Sequence, residues 1–265
     1  MFSTRLRSSM ILLVITISTV VLGGNILFAT TVIVSLIGMM ELYRIVKVNK
    51  ALPGFVGYAA GIIYYLLLYF ELQKYQLVFF IIVLMTLMFV YVFSFPKFGT
   101  EQIAIVFLGL FYVSIMLSYI YRVRMLENGE LFVWLIFIGA WGSDTCAYCV
   151  GILIGKHKIA PKLSPKKSLE GCIAGVLGAA LIGLLFAAIF KGKITNIENP
   201  LLAFAIIGAA SSIISQIGDL AASAIKRNHD IKDYGTLIPG HGGILDRFDS
   251  IIFTAPIVFY LAVML

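Results

Sequence analysis

Three carboxylates in the last quarter of the chain, Asp219, Asp246 and Asp249, are the residues best suited to chemistry. Hard oxygens of this kind suit Mg2+, which takes a few carboxylates and completes its shell with water and substrate phosphates. Asp219 lies near the end of an apolar span, where an ionisable group is costly unless it pairs, binds a metal or faces water. On the same helix Ser212, Ser215, Asp219, Ser223 and Lys226 recur at steps of three and four, forming one polar stripe. Serine stripes glue helices together, but glue does not require a carboxylate. Asp246 and Asp249, three apart at the start of the last helix, share a face. Between them and Asp219 runs Pro239-Gly240-His241-Gly242-Gly243, whose glycines let backbone approach a phosphate and take positive φ. His241 is read as hydrogen-bonding to phosphate or loop, with acid–base work as the alternative. Arg247 suits phosphate capture or a carboxylate pair.

A second group lies upstream. Trp141, Asp144, Tyr148, Gly151 and Gly155 fall on one helix face. Asp144 is expected in a metal or substrate site, with a structural Asp–Lys pair as the alternative; Gly151 and Gly155 read as helix packing. The following loop carries Ser164, Lys166, Lys167 and Ser168 just before a helix start. Hydroxyls, ammonium groups and a helix N-terminus together make a phosphate cradle. Ser168, with Glu170 and Gly171, also reads as helix-starting chemistry.

The elements that must hold these residues are membrane helices. Of 265 residues, 61% are hydrophobic and 12% charged, with mean hydropathy +1.02. Apolar blocks near 9–23, 26–43, 54–70, 77–95, 102–120, 131–153, 171–190, 201–225 and 250–265 are long enough to span a bilayer as helix. Backbone in hydrocarbon must satisfy itself, so the expected fold is all-α and polytopic, with about nine transmembrane helices. Arg5 and Arg7 precede the first block without a small-residue cleavage site, so a retained helix is expected. With a cytoplasmic N-terminus, only Lys74, Arg122, Arg124, Lys191 and Lys193 of the 20 basic residues fall outside. The net charge of +7 then gathers on the cytoplasmic face, beside anionic headgroups or an anionic substrate. No soluble domain is left to carry nucleic acid. Residues 1–125 read as a scaffold, and 126–265 as the catalytic region with cytoplasmic loops at 154–170 and 226–249.

Other residues carry blander readings. Glu41, Tyr43 and Arg44 are expected at a solvated or headgroup-level helix end. Tyr58, Tyr64, Tyr65 and Tyr69 are expected as lipid packing and interface anchors. Cys146, Cys149 and Cys172 are expected as small buried hydrophobes rather than a redox or zinc motif. Gly171, Gly175 and Gly178 allow a homodimer or packing within the chain.

The run from Ser223 to Asp249, S-A-I-K-R-N-H-D-I-K-D-Y-G-T-L-I-P-G-H-G-G-I-L-D-R-F-D, resembles the signature of the phosphatidate cytidylyltransferase (CDP-diacylglycerol synthase) family. The upstream D-T-C-A-Y-C-V-G and S-P-K-K-S-L-E-G segments resemble it too, so the motifs cover about the C-terminal half. The resemblance implies transfer of CMP from CTP to phosphatidic acid with Mg2+, leaving pyrophosphate; a second metal or a monovalent cation is left open. It further implies that Asp219, Asp246 and Asp249 hold metal, with Asp144 as ligand or support. Lys166, Lys167, Lys226 and Arg227 would bind phosphates, and Ser223 and His241 would hydrogen-bond them. A bacterial inner-membrane setting with the site facing the cytoplasm is expected. Two other classes stay open: a CTP-dependent polyprenol or phytol kinase, which would leave CDP, and a cation-coupled transporter using Asp144 and Asp219.

Overall fold

The structure, a computed structural model, describes residues 2–264, with side chains from residue 7 onward. The side chain of Arg5 and the last residue of the ninth apolar block therefore lie outside the described residues. Nine helical rods run through the described chain: α1 (Phe2–Leu22), α2 (Gly24–Ile45), α3 (Leu52–Tyr69), α4 (Gln76–Phe93), α5 (Thr100–Arg124), α6 (Gly129–Ile154), α7 (Leu169–Phe190), α8 (Pro200–Asn228) and α9 (Leu245–Val263). The seven from α2 to α8 are long and apolar enough to cross a membrane. The first five residues of α9 include Asp246, Arg247 and Asp249, which lowers the hydropathy of an otherwise apolar helix. The fold is that of an all-α polytopic membrane protein.

Three departures from plain α-helix interrupt the rods and loops. Leu110–Ile115 within α5 and Ile138–Gly142 within α6 are π-helical. Such widened turns shift the face that later residues present and concentrate at functional sites; the second ends immediately before Ser143 and Asp144. The third is a short antiparallel hairpin in the expected loop, β1 (Lys158–Ala160) and β2 (Ser164–Ser168), paired Lys158 to Ser168 and Ala160 to Ser164.

The chain divides into two compact units. One comprises residues 1–14, Asn25–Ser118 and Asp233–Asp246. Its centre is built on tyrosines. Tyr43 is fully buried, donates to the Val106 carbonyl at 2.8 Å and fills the space left by Gly57 and Gly109. Tyr65 donates to the Ser114 carbonyl at 3.1 Å and pairs with Ser35 at 2.6 Å, while Tyr64 pairs with the Ser118 hydroxyl at 2.9 Å. Tyr64 and Tyr65 are thus core residues, not lipid anchors, because a phenol buried among helices needs a polar partner that lipid does not supply. Tyr69 is 44% exposed, as an interface residue should be.

The other unit comprises Ile15–Gly24, Tyr119–Lys232 and Arg247–Leu265. Helix α7 packs closely between α6 and α8 because small residues let backbones meet. A Cβ on Gly183 would strike the Phe204 carbonyl at 2.5 Å, and one on Gly208 the Ala179 carbonyl at 2.5 Å. Gly171, Gly175 and Gly178 press against Ala147, Ser143 and Cys146, so this glycine face is occupied within the chain. Cys149 is exposed on the protein surface and Cys146 and Cys172 are half-buried, all three as free thiols. The expectation of three buried cysteines is corrected: none is fully buried, and Cys149 is exposed.

Candidate active site

The polar centre of the second unit begins with β2. Successive side chains of a strand face opposite ways, so the two lysines of Ser164-Pro165-Lys166-Lys167-Ser168 part company. Lys166 is exposed, whereas Lys167 turns inward and its Nζ meets Asp219 Oδ2 at 2.5 Å. The two side chains retain 19% and 28% exposure, so the pair is sheltered yet reachable. Its neighbours extend the cluster. Asp144 interacts electrostatically with both Asp219 and Lys167. Asp249, 8% exposed, interacts with Asp219, Lys226 and Arg247. Asp249 Oδ1 accepts the Ser250 N–H at 2.8 Å, and the buried Arg247 Nε has no hydrogen-bond partner among the described residues. Three carboxylates interleaved with three cations leave little net charge, an arrangement that arriving phosphates could reorganise by taking the cations.

The rest of the polar stripe on α8 sorts by depth. Ser212 bonds Ser143 at 2.6 Å, which is interhelical glue, and within α8 it accepts from Gln216 Nε2 at 3.4 Å. Ser215 Oγ is buried and unpartnered among the described residues. Ser223 and Lys226 are half-buried, and Arg227 is exposed, donating to the Ile231 carbonyl at 3.1 Å to close the end of α8.

Around Ser168 the structure favours the helix-start reading. Its hydroxyl accepts the Gly171 N–H at 3.2 Å as the N-cap of α7, and the residue is 3% exposed. Gly151 and Gly155 give it room: a Cβ on Gly155 would lie 2.5 Å from Ser168 Oγ. Glu170 secures the entry to the hairpin, meeting His157 Nδ1 at 2.6 Å and accepting the Lys156 and His157 N–H groups. Ser164, half-buried, begins β2.

The glycine-rich segment belongs to the first unit, and its organiser is a residue that sequence reasoning placed elsewhere. Glu41 is 1% exposed and accepts the N–H groups of Ile244 at 3.0 Å and Leu245 at 2.8 Å, across 203 and 204 positions of sequence. It is not a solvated helix end. A carboxylate can be buried there because two backbone donors at the start of α9 satisfy it. Gly243 and Gly235 abut this carboxylate so closely that a Cβ on either would collide with it. Asp246, 6% exposed, accepts Tyr234 N–H at 2.8 Å and Gly243 N–H at 2.9 Å on Oδ2. Between these anchors Ile238 and Gly242 form a bridge, and the turn needs positive φ at Gly240 (79°) and Gly242 (86°). His241 Nε2 meets Ser9 Oγ at 2.9 Å, and Ser8 donates to the Pro239 carbonyl at 3.1 Å. His241 Nδ1 is buried and unpartnered among the described residues. The available signal for Glu41 was the one used for Asp219: a carboxylate inside an apolar run.

Among the described residues no three Asp, Glu, His or Cys side chains converge as a complete metal shell. The donor chemistry nonetheless fits Mg2+, which commonly takes one or two carboxylates and draws its other ligands from water and substrate phosphates.

The chain is similar to known proteins along nearly its full length. A model of the cytidylyltransferase family matches residues 3–265. A phosphatidate cytidylyltransferase of Bacillus subtilis is 31% identical over 244 residues, 87% of each chain. One of Staphylococcus epidermidis is 32% identical over 262 residues, 96% of each chain. One of Synechocystis is 32% identical over 289 residues, covering 98% of this chain and 96% of the relative. The full-length match takes in the helices of both units as well as the motif-bearing half, and on that ground the chain belongs to the cytidylyltransferase family.

Proposed function

We propose that the chain transfers the cytidylyl group of CTP to phosphatidate, giving CDP-diacylglycerol and pyrophosphate for phospholipid synthesis. Family membership and the phosphatidate cytidylyltransferases it resembles over most of its length support the reaction. The structural observation that carries it is the Lys167–Asp219 pair flanked by Asp144 and Asp249 on otherwise apolar helices.

The chemistry asks little of a base. A phosphate monoester is ionised near neutral pH, so its oxygen attacks the α-phosphorus of CTP directly. A new P–O bond forms, the bond from the α-phosphorus to the bridging oxygen breaks, and its electron pair leaves with pyrophosphate. The obstacle is bringing two polyanions together, which calls for positioning and electrostatic stabilisation. Lys167, Lys226 and Arg227 supply the positive charge, with Lys166 at the exposed edge. Lys167 exchanges its carboxylate partner for a phosphate oxygen as substrate arrives. Ser164 and Ser223 offer hydroxyls. The 239–243 turn, with His241, offers backbone and imidazole donors, and Arg247 a guanidinium. Mg2+, held by Asp219 and Asp249 with Asp144 in support, would neutralise phosphate charge and orient the reacting groups. Asp246, three residues before Asp249, belongs with the carboxylates whose loss stops turnover. The basic residue distribution supports a cytoplasmic site in a bacterial inner membrane.

Detergent-solubilised protein given CTP, phosphatidate and Mg2+ should release pyrophosphate, and omitting any one component should stop it. CDP in place of pyrophosphate would indicate a kinase, and no nucleotide consumption by folded protein a transporter.

A further inference from the structure

The second unit contains a cavity of ≈ 180 Å³ that the catalytic reading does not use. It is lined by the charged side chains of Arg124, Glu130 and Lys193 and by the rings of Trp134, Phe186 and Phe190. These residues come from helix ends: Arg124 closes α5, Glu130 lies in the first turn of α6, and Lys193 follows α7. Three of the nine lining residues are thus charged, as headgroups require, and the other six, with Val20, Val21 and Leu131 beside the rings, are apolar, as lipid tails require. Arg124 is fixed in place: its Nε donates to the Val20 carbonyl at 3.2 Å, and its guanidinium lies under Gly23, where a Cβ would sit 3.1 Å away. Among the described residues neither Arg124 nor Lys193 is ion-paired with a carboxylate. Lys193 instead lies 6.0 Å over the Phe190 ring.

We propose that this cavity is a binding site for the headgroup of an anionic glycerophospholipid, separate from the Lys167–Asp219 centre. Two cations, Arg124 held in place and Lys193 exposed beside it, against one carboxylate select a net negative headgroup. Arg124 presents a planar fork suited to a phosphodiester and Lys193 a compact second charge. Glu130 accepts from headgroup hydroxyls, and the aromatic wall receives the first carbons of the acyl chains. The volume is below the roughly 300–1,000 Å³ of sites for drug-sized ligands, which matches a headgroup and excludes a nucleotide.

The chain has two tryptophans, and one of them lines the cavity. Trp141→Phe thus leaves Trp134 as a single fluorophore. In bilayers doped with equal fractions of brominated phosphatidylglycerol or brominated phosphatidylcholine, Trp134 should be quenched preferentially by the anionic lipid. The preference should be about fivefold, the size one basic side chain gives near an anionic surface. Adding Arg124→Gln and Lys193→Gln should abolish the preference while CTP turnover stays at the Trp141→Phe level, which shows that the variant is folded. Equal quenching by both lipids, or a preference that survives the double substitution, overturns the site. Loss of the preference on adding millimolar inorganic phosphate overturns the lipid as the occupant.

Discussion

Lys167 Nζ lies 2.5 Å from Asp219 Oδ2, joining a strand of the β-hairpin to the C-terminal third of α8. Neither side chain is more than about a third exposed, so the pair is neither a screened surface bridge nor a fully desolvated one. Such a pair tolerates exchange of partners, as a phosphate site requires. Lys167→Met should lower kcat/KM by about 10²–10³, the usual cost of removing one charge-stabilising donor. Asp219→Asn should remove turnover to a similar or greater extent. The double variant should lose less than the sum, because the two groups act as a unit. Steady-state kinetics on the three proteins checks this.

Glu41 anchors the start of α9. Glu41→Ala leaves the Ile244 and Leu245 N–H groups buried without their acceptor, each costing about 1–3 kcal/mol. The variant should melt at a lower temperature and lose turnover. Glu41→Gln keeps one acceptor oxygen and should recover part of both. A thermal melt alongside the activity assay separates a loop-positioning role from one of stability alone.

Gly243→Ala should be as damaging as Glu41→Ala, because its Cβ collides with the Glu41 carboxylate. Gly192→Ala is the control: a Cβ there meets nothing within 4 Å. It should leave activity within about twofold, since substitutions away from any special feature stay within about 0.5 kcal/mol.

Ser168→Ala tests the division of labour along β2. Loss of the N-cap of α7 should cost about 1 kcal/mol of stability. Turnover per folded molecule should fall far less than in Lys167→Met, one residue earlier. A comparable loss would return Ser168 to the substrate.

Chelation should abolish turnover and Mg2+ should restore it, while Ca2+, larger and held by more ligands, should restore little. Activity retained after exhaustive chelation would remove the carboxylates from a metal role.

The helices were legible because apolar blocks of bilayer length must satisfy their backbone internally, and those from 26–43 to 250–265 fall on α2 to α9 within about five residues. Asp144, Lys167 and Asp219 were legible because charge is rare in this chain. Glu41 carries the same local signal as Asp219, a carboxylate inside an apolar run, but its partners lie 203 and 204 positions away, so the sequence does not show what it bonds. Tyr64 and Tyr65 were misread for the same reason: their partners on α2 and α5 are visible only once the helices pack. The hairpin was hidden within a lysine-rich loop, yet it is what turns Lys167 inward while Lys166 stays exposed.

The most direct test of cytidylyl transfer at the Lys167–Asp219 centre follows the α-phosphorus itself. Wild-type protein and a folded Asp219→Asn variant are given α-labelled CTP, phosphatidate and Mg2+. The label should enter the lipid fraction as CDP-diacylglycerol with wild type, with one pyrophosphate released per labelled lipid, and should stay in CTP with the variant. Label remaining water-soluble in CDP with wild type, or equal labelling of lipid by Asp219→Asn, would contradict the account.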